Sequence, residues 1–209
     1  LRVMFAVMDA VMATAFDNWR NLPGVGTNVS NQISYSPAPG APDVAAIGDM
    51  LNTIALSDDP LFLGRSTLGV ASKLLRVGPS GNPEEAEVVT ADILLNSRFH
   101  PVTGTSGELG KFTLDLSTKD HNVKNVVTHE VGHVIGLVHV GTPAGVMFYN
   151  LPKGDGTLTT DDKAAILRKA SDGSLDNLYG TITGKVTSGR ASTFGTEVGG
   201  AMVIATNVS

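Results

Sequence analysis

The apolar positions change period several times along the chain, and each change marks an element. Between residues 2 and 21 they recur at helical spacing, through Val3, Ala6, Val7, Ala10 and Val11 to Phe16 and Trp19, which predicts a long amphipathic helix. Pro23-Gly24 stops it. "NQISYS" (31–36) alternates and predicts a short strand, whereas 37–66 is rich in Pro, Gly and Asp and reads as a long loop with a helical turn at "DVAAIGDML". "STLGVASKLLRVG" (66–78) predicts a strand, "GNPEE" a turn, and "AEVVTADILLN" (86–96) a second strand, antiparallel to its neighbour or at a sheet edge. A further helix begins near 120–122, where Asp120 or Asn122 can cap it, and runs to Gly136. The last helix covers "TTDDKAAILRKAS" (159–171), with Thr159 or Thr160 as cap and Asp161 and Asp162 against its positive end. From 181 to 209 the chain turns to alternating Gly, Thr and Val, a β-rich segment too short to make a sandwich by itself.

Composition narrows the classes. The 209 residues suffice for one large domain, and 42% apolar against 17% charged residues allows a real core. A net charge of −5 with no basic run argues against nucleic acid as a partner. The absence of cysteine excludes a disulfide scaffold, a thiolate metal site and a cysteine nucleophile. No stretch is long and apolar enough for a membrane span. The opening "LRVMFAVMDAVMATAF" has some features of a signal peptide, but Asp9 interrupts it and the helical pattern continues into "FDNWRNL".

The chemistry concentrates in "VVTHEVGHVIGLVHVGTPAGVMFYN" (126–150), which holds three of the five histidines. On a helix, His129 and His133 lie about 40° apart round the axis and roughly 6 Å along it, so both imidazoles reach one metal ion. Glu130 projects about 100° away from His129, beside that face, where a carboxylate can reach a metal-activated water. A continued helix would carry His139 about 15 Å along the axis from His129, out of reach. The chain must turn back, and Gly136 takes the left-handed conformation that ends a helix. Three neutral imidazoles leave Zn²⁺ an open position, the catalytic kind of site, where the pKa of water falls to roughly 7. Glu130 would take the proton and pass it to the leaving amine, so amide hydrolysis is the natural reaction. In this composition all five fixed positions of H-E-x-x-H-x-x-G-x-x-H coincide by chance about once in a hundred thousand, which disfavours three histidines merely buried in a core. His100 and His121 read as loop residues.

At "HEVGHVIGLVH" and Met147 in "GVMFYN" the sequence resembles the metzincin zinc metallopeptidases, and its order of elements looks most like a matrixin catalytic domain. The resemblance implies an α+β fold over 1–180: a twisted mixed sheet, mostly parallel, a long N-terminal helix backing it and the zinc helix under the cleft. It implies Met147 as an apolar floor beneath the ligands. Tyr149 stands two after Met147, as in astacins and serralysins, where matrixins usually have proline. It is therefore a candidate fifth ligand or transition-state donor, with a packing role the alternative. His100 and His121 do not supply the matrixin structural-zinc pattern, and the strand expected before the long helix is missing. The segment 181–209 resembles the opening of an Ig-like or carboxypeptidase-regulatory-like module, or else forms a hairpin on the catalytic domain.

The expectations are then a secreted, extracellular, monomeric zinc endopeptidase. Its peptide or protein substrate would lie extended against strand 86–96 as the sheet edge, with 140–152, including Val140, Pro143, Val146 and Phe148, as a pocket wall. Asp58, Asp59, Asp92 and the "KGDG" turn (153–156) are calcium candidates, although none matches an EF-hand loop and solvated turns explain them as well. The rival class is a catalytically inactive zinc-binding adhesion protein whose β-tail carries recognition. Glu130 speaks against it, because a structural site has no use for a carboxylate beside its open position.

Overall fold

The long helix forms where the spacing places it. In the computed structural model α1 spans Arg2–Arg20, and Met12, Ala15 and Trp19 form one buried stripe along its second half. The described residues are 2–26, 33–36, 50–57, 59–61, 63–64, 66–82, 86–99, 112–113, 121–151, 154–170 and 184–189. α1 is fixed by hydrogen bonds as well as by packing. The Trp19 indole N–H donates to the Thr128 carbonyl at 2.8 Å, and the Asn18 amide donates to the Gly156 carbonyl at 2.9 Å.

Among the described residues, three strands make the main sheet: β1 (Ile54–Ser57), β2 (Gly69–Arg76) and β3 (Glu87–Asn96), in the order β1-β3-β2. β1 pairs parallel to β3 with Ile54 opposite Ile93, and β2 pairs antiparallel to β3 with Ala71 opposite Ile93. The β2–β3 register slips between Leu74 and Leu75, a bulge near the far end of the hairpin. Two minimal strands, β4 (Phe112–Thr113) and β5 (His121–Asn122), pair parallel to each other. β5 leads directly into α2 (Val123–Val134), and α3 (Thr160–Ala170) closes the described helices. The core lies where these elements meet: Met12, Ala15 and Trp19 of α1, Ile93 and Leu95 of β3, Val126, Val127 and Val131 of α2, with Phe99, Met147 and Ile166.

Several expectations need correction. β3 is the central strand among the described residues, not a sheet edge, and is buried from Thr90 to Asn96 on both faces. Its buried polar residues are satisfied internally. Asp92 accepts the Thr53 N–H at 3.0 Å, and the Asn96 amide donates to the Thr67 carbonyl at 2.8 Å and the Gly64 carbonyl at 3.1 Å. The main sheet has one parallel and one antiparallel pairing, so among the described residues it is mixed rather than mostly parallel. β1 lies inside the stretch read as loop. Four residues are too few to display a period, and Asn52 and Thr53 prepare the pairing by bonding to Ala91 and Ile93. Residues 33–36 are not a strand. Ile33 and Tyr35 use their alternation to pack on α1, with the Tyr35 ring 5.9 Å from Phe16 and its hydroxyl donating to Asp9 at 2.7 Å. Residues 31–32, the proposed turn at 43–49 and most of the tail lie outside the described residues, where only 184–189 of the tail is described, largely exposed.

Candidate metal centre

α2 carries the first two histidines because the chain starts and stops it locally. Asn122 caps it, its side-chain oxygen accepting the Asn125 N–H at 3.2 Å. At the other end the Leu137 N–H bonds to the Gly132 carbonyl at 2.9 Å and the Gly136 N–H to the His133 carbonyl at 3.0 Å, a Schellman closure. Gly136 sits at φ +91, the left-handed region that this closure requires. The backbone leaves the helix at the glycine that the motif spacing singles out.

The return brings His139 onto the same point as His129 and His133. Their Nε2 atoms form a triangle with edges of 3.1, 3.2 and 3.3 Å. His129 and His133 stand nearly perpendicular, at 86°, and His133 and His139 at 76°. Among the described residues this is the one group of three or more His, Asp or Glu side chains that converges closely enough to hold a metal ion. The hydrogen bonds behind the rings decide what faces the centre. His129 Nδ1 lies 2.6 Å from the Val146 carbonyl and His133 Nδ1 lies 2.9 Å from the Leu137 carbonyl. A carbonyl can only accept, so both Nδ1 atoms carry the proton and both Nε2 atoms present lone pairs. Burial also keeps these rings neutral: it pushes His129 down to about 4 and lowers His133 from its ordinary value. Two lone pairs 3.1 Å apart with no proton between them repel unless a cation lies between. Tetrahedral zinc, at about 2.0–2.1 Å from each nitrogen, sets its ligand nitrogens about 3.3 Å apart, so the triangle fits it.

Glu130 points elsewhere from the rings, toward the sheet. It is only 4% exposed, and its carboxylate accepts the Ala71 backbone N–H of β2. Burial raises it to about 8 despite that bond. One turn on, the Lys73 ammonium donates to the His133 carbonyl at 2.6 Å, so β2 also grips the last turn of α2.

Met147 is fully buried beneath the helix. It lies so close to Gly132 that a Cβ there would overlap its sulfur and come within 3.0 Å of Trp19. The loop holding Met147 is tied from α3. Asp162, with 0% exposure, accepts the backbone N–H groups of Val146 at 2.9 Å and Met147 at 3.0 Å. It also accepts the Thr159 N–H at 2.8 Å and hydroxyl at 2.7 Å, while Thr159 caps α3. The sequence marked Asp162 only as a charge at a helix start; the Thr-x-x-Asp spacing was visible, but its reach to Met147 was not. Neighbouring Asp161 takes the Thr142 hydroxyl, pinning the other end of the same loop.

Tyr149 is 72% exposed, its ring 4.5 Å from Phe148 at 54°, so it is not a packed core tyrosine. Val146, expected in a pocket wall, is buried in the core instead and contributes its carbonyl to His129. His121 packs edge-on against Phe99 at 5.3 Å, and His100 lies outside the described residues. Of the calcium candidates, Asp59 and Asp155 each accept a backbone N–H two residues on, Asp92 accepts that of distant Thr53, and Asp58 and Lys153 lie outside the described residues.

Residues 81–169, from the turn before β3 to the end of α3, match the family model of the matrixins. The matched stretch is matrixin-like and contains α2, the return to His139 and Met147, which supports a zinc metallopeptidase domain at the level of that family. No curated protein matches the chain.

Proposed function

We propose that this chain is a zinc-dependent endopeptidase, monomeric and secreted, that cleaves extended peptides. The observation that carries the reading is the Nε2 triangle of His129, His133 and His139, with the His129 and His133 lone pairs turned inward by the Val146 and Leu137 carbonyls. A zinc ion held there supplies Lewis-acid polarisation of the scissile carbonyl and a water acidified to a pKa of about 7.

The protein's own groups do the rest. Glu130 takes a proton from the attacking water as the new C–O bond forms, and returns it to the amine nitrogen as the C–N bond breaks. Tyr149, exposed beside the turn, donates its hydroxyl to the developing oxyanion. Met147 gives the ligand helix an incompressible apolar floor. The extended substrate adds to the sheet at β2, since β3 is covered on both sides by β1 and β2. The extracellular setting and the monomeric state follow from the resemblance to secreted peptidases.

The test uses a quenched peptide library with wild type and Glu130→Gln, each chelated and then reloaded with zinc. Cleavage should require both zinc and Glu130. A wild type that binds one zinc yet cuts no faster than Glu130→Gln would instead make the chain a zinc-binding adhesion protein.

A further inference from the structure

β2 runs along the open side of α2, and alternate residues of a strand share a face. On the face toward the helix, Gly69 comes first, then Ala71, whose N–H holds Glu130, then Lys73, whose ammonium holds the His133 carbonyl. Gly69 has no side chain to place there, and the reason is Glu130. A Cβ built at Gly69 would lie 2.9 Å from Glu130 Oε1, 3.1 Å from its Cγ and 3.3 Å from its Cδ. The Glu130 carboxyl group occupies the space that a side chain at 69 would fill. The backbone of Gly69 does not need glycine, since it is absent from the positive-φ residues. A glycine inside a strand ordinarily weakens it and marks a close approach of another group.

We propose that Gly69 is a positioning residue for Glu130: its missing side chain lets the carboxylate lie against β2, held by the Ala71 N–H. This rests on the reading of Glu130 as proton carrier. It has a structural consequence of its own. Ala71 stands opposite Ile93, whose N–H turns the other way to bond Thr53, so the Ala71 N–H faces the side of β2 away from β3, which no described strand covers, and has Glu130 as its partner.

Two readouts test it. The first needs neither metal nor activity: amide hydrogen exchange of the full chain after chelation. The Ala71 amide should be protected in wild type and exchange freely in Gly69→Ala and in Glu130→Ala, while amides paired between β2 and β3 stay protected. The second is kinetic, on the zinc-loaded enzyme. Gly69→Ala should lower kcat by roughly 100-fold, the cost of misplacing a catalytic group by about an ångström, with KM and zinc stoichiometry unchanged. In a Glu130→Gln background the same substitution should cost nothing further. A protected Ala71 amide in Gly69→Ala, or a rise in KM alone, overturns the proposal. Full activity of Glu130→Gln would overturn the proton-carrier reading itself, a result that Gly69→Ala cannot produce. If Gly69→Ala does not fold, the double variant Gly69→Ala/Glu130→Ala, which clears the space, should fold. Its failure would show that glycine serves the backbone and would sink the proposal.

Discussion

Asp162 holds Met147 across from the following helix: its buried carboxylate accepts the Met147 backbone N–H at 3.0 Å. It takes the Val146 N–H as well, and Val146 in turn offers its carbonyl to His129 at 2.6 Å. Two residues from α3 and the turn thus fix the tautomer of a ring on α2. Asp162→Ala orphans four donors, those of Val146 and Met147 and both from Thr159. The expected loss is about 3–5 kcal/mol of stability, read by denaturant titration. Zinc affinity should fall about 10–100-fold, as for other groups that orient a ligand, read by competition with a chelator. An unchanged zinc affinity would mean that Val146 does not need Asp162 to hold His129.

His139, the proposed third ligand, makes a different prediction. His139 is reached by a turn and is exposed, whereas His129 is buried within the helix contacts. His139→Ala should leave the melting temperature of the chelated protein nearly unchanged. It should weaken zinc by about 100-fold or more, beyond the effect typical of orienting groups. Wild type at a zinc concentration of 100 times its Kd should gain about 2.7 kcal/mol, and the variant at that concentration less than half of it. Differential scanning calorimetry with and without zinc separates the two contributions.

These residues also show what a sequence can and cannot disclose. His129, Glu130, His133, Gly136 and His139 were legible because the whole device is local: a helix, one left-handed glycine and a return within 11 residues of chain. The long helix and the β2–β3 hairpin were legible because each repeats a period over enough residues. β1 was not, since four residues show no period and its partner lies 39 residues away. The centrality of β3 was not legible, since Asp92 showed only as a calcium candidate and Asn96 not at all, whereas both bond inward to backbone far along the chain. Gly69, Lys73 and Asp162 escaped for the same reason. What they do depends on which segment folding brings opposite them, and no spacing along the chain records that.

Tyr35 yields a prediction in pH. Its hydroxyl donates to Asp9 at 2.7 Å, and burial together with that carboxylate pushes it from 10.0 to about 12. Only the neutral phenol can donate. The unfolded chain therefore loses its phenolic proton first as pH rises, and the bond's contribution is full below pH 10 and gone by about pH 12. Tyr35→Phe should cost about 1 kcal/mol below that window and nothing above it. Denaturant midpoints of the two proteins, compared on either side of the window, should converge at the alkaline end. A constant gap would mean that the hydroxyl stabilises the fold by something other than donating to Asp9.

Trp19 separates anchoring the helix from orienting the ligand. It is the chain's only tryptophan, fully buried, and donates to the carbonyl of Thr128 at 2.8 Å, one residue before His129. Its ring also lies near Gly132 beside Met147. Trp19→Phe removes the donor, leaves part of the indole volume empty, and should cost about 2–4 kcal/mol. The His129 ring, however, is held by Val146 and through it by Asp162, neither of which Trp19 bonds. Zinc affinity of the folded variant should therefore stay within about threefold of wild type, a difference of under 1 kcal/mol, while Asp162→Ala loses both stability and zinc. Chelator competition on both variants at a temperature where each is folded decides it. A Trp19→Phe protein that loses zinc as severely as Asp162→Ala would mean that the axial position of α2, and not the Val146 carbonyl, sets the geometry of the triangle.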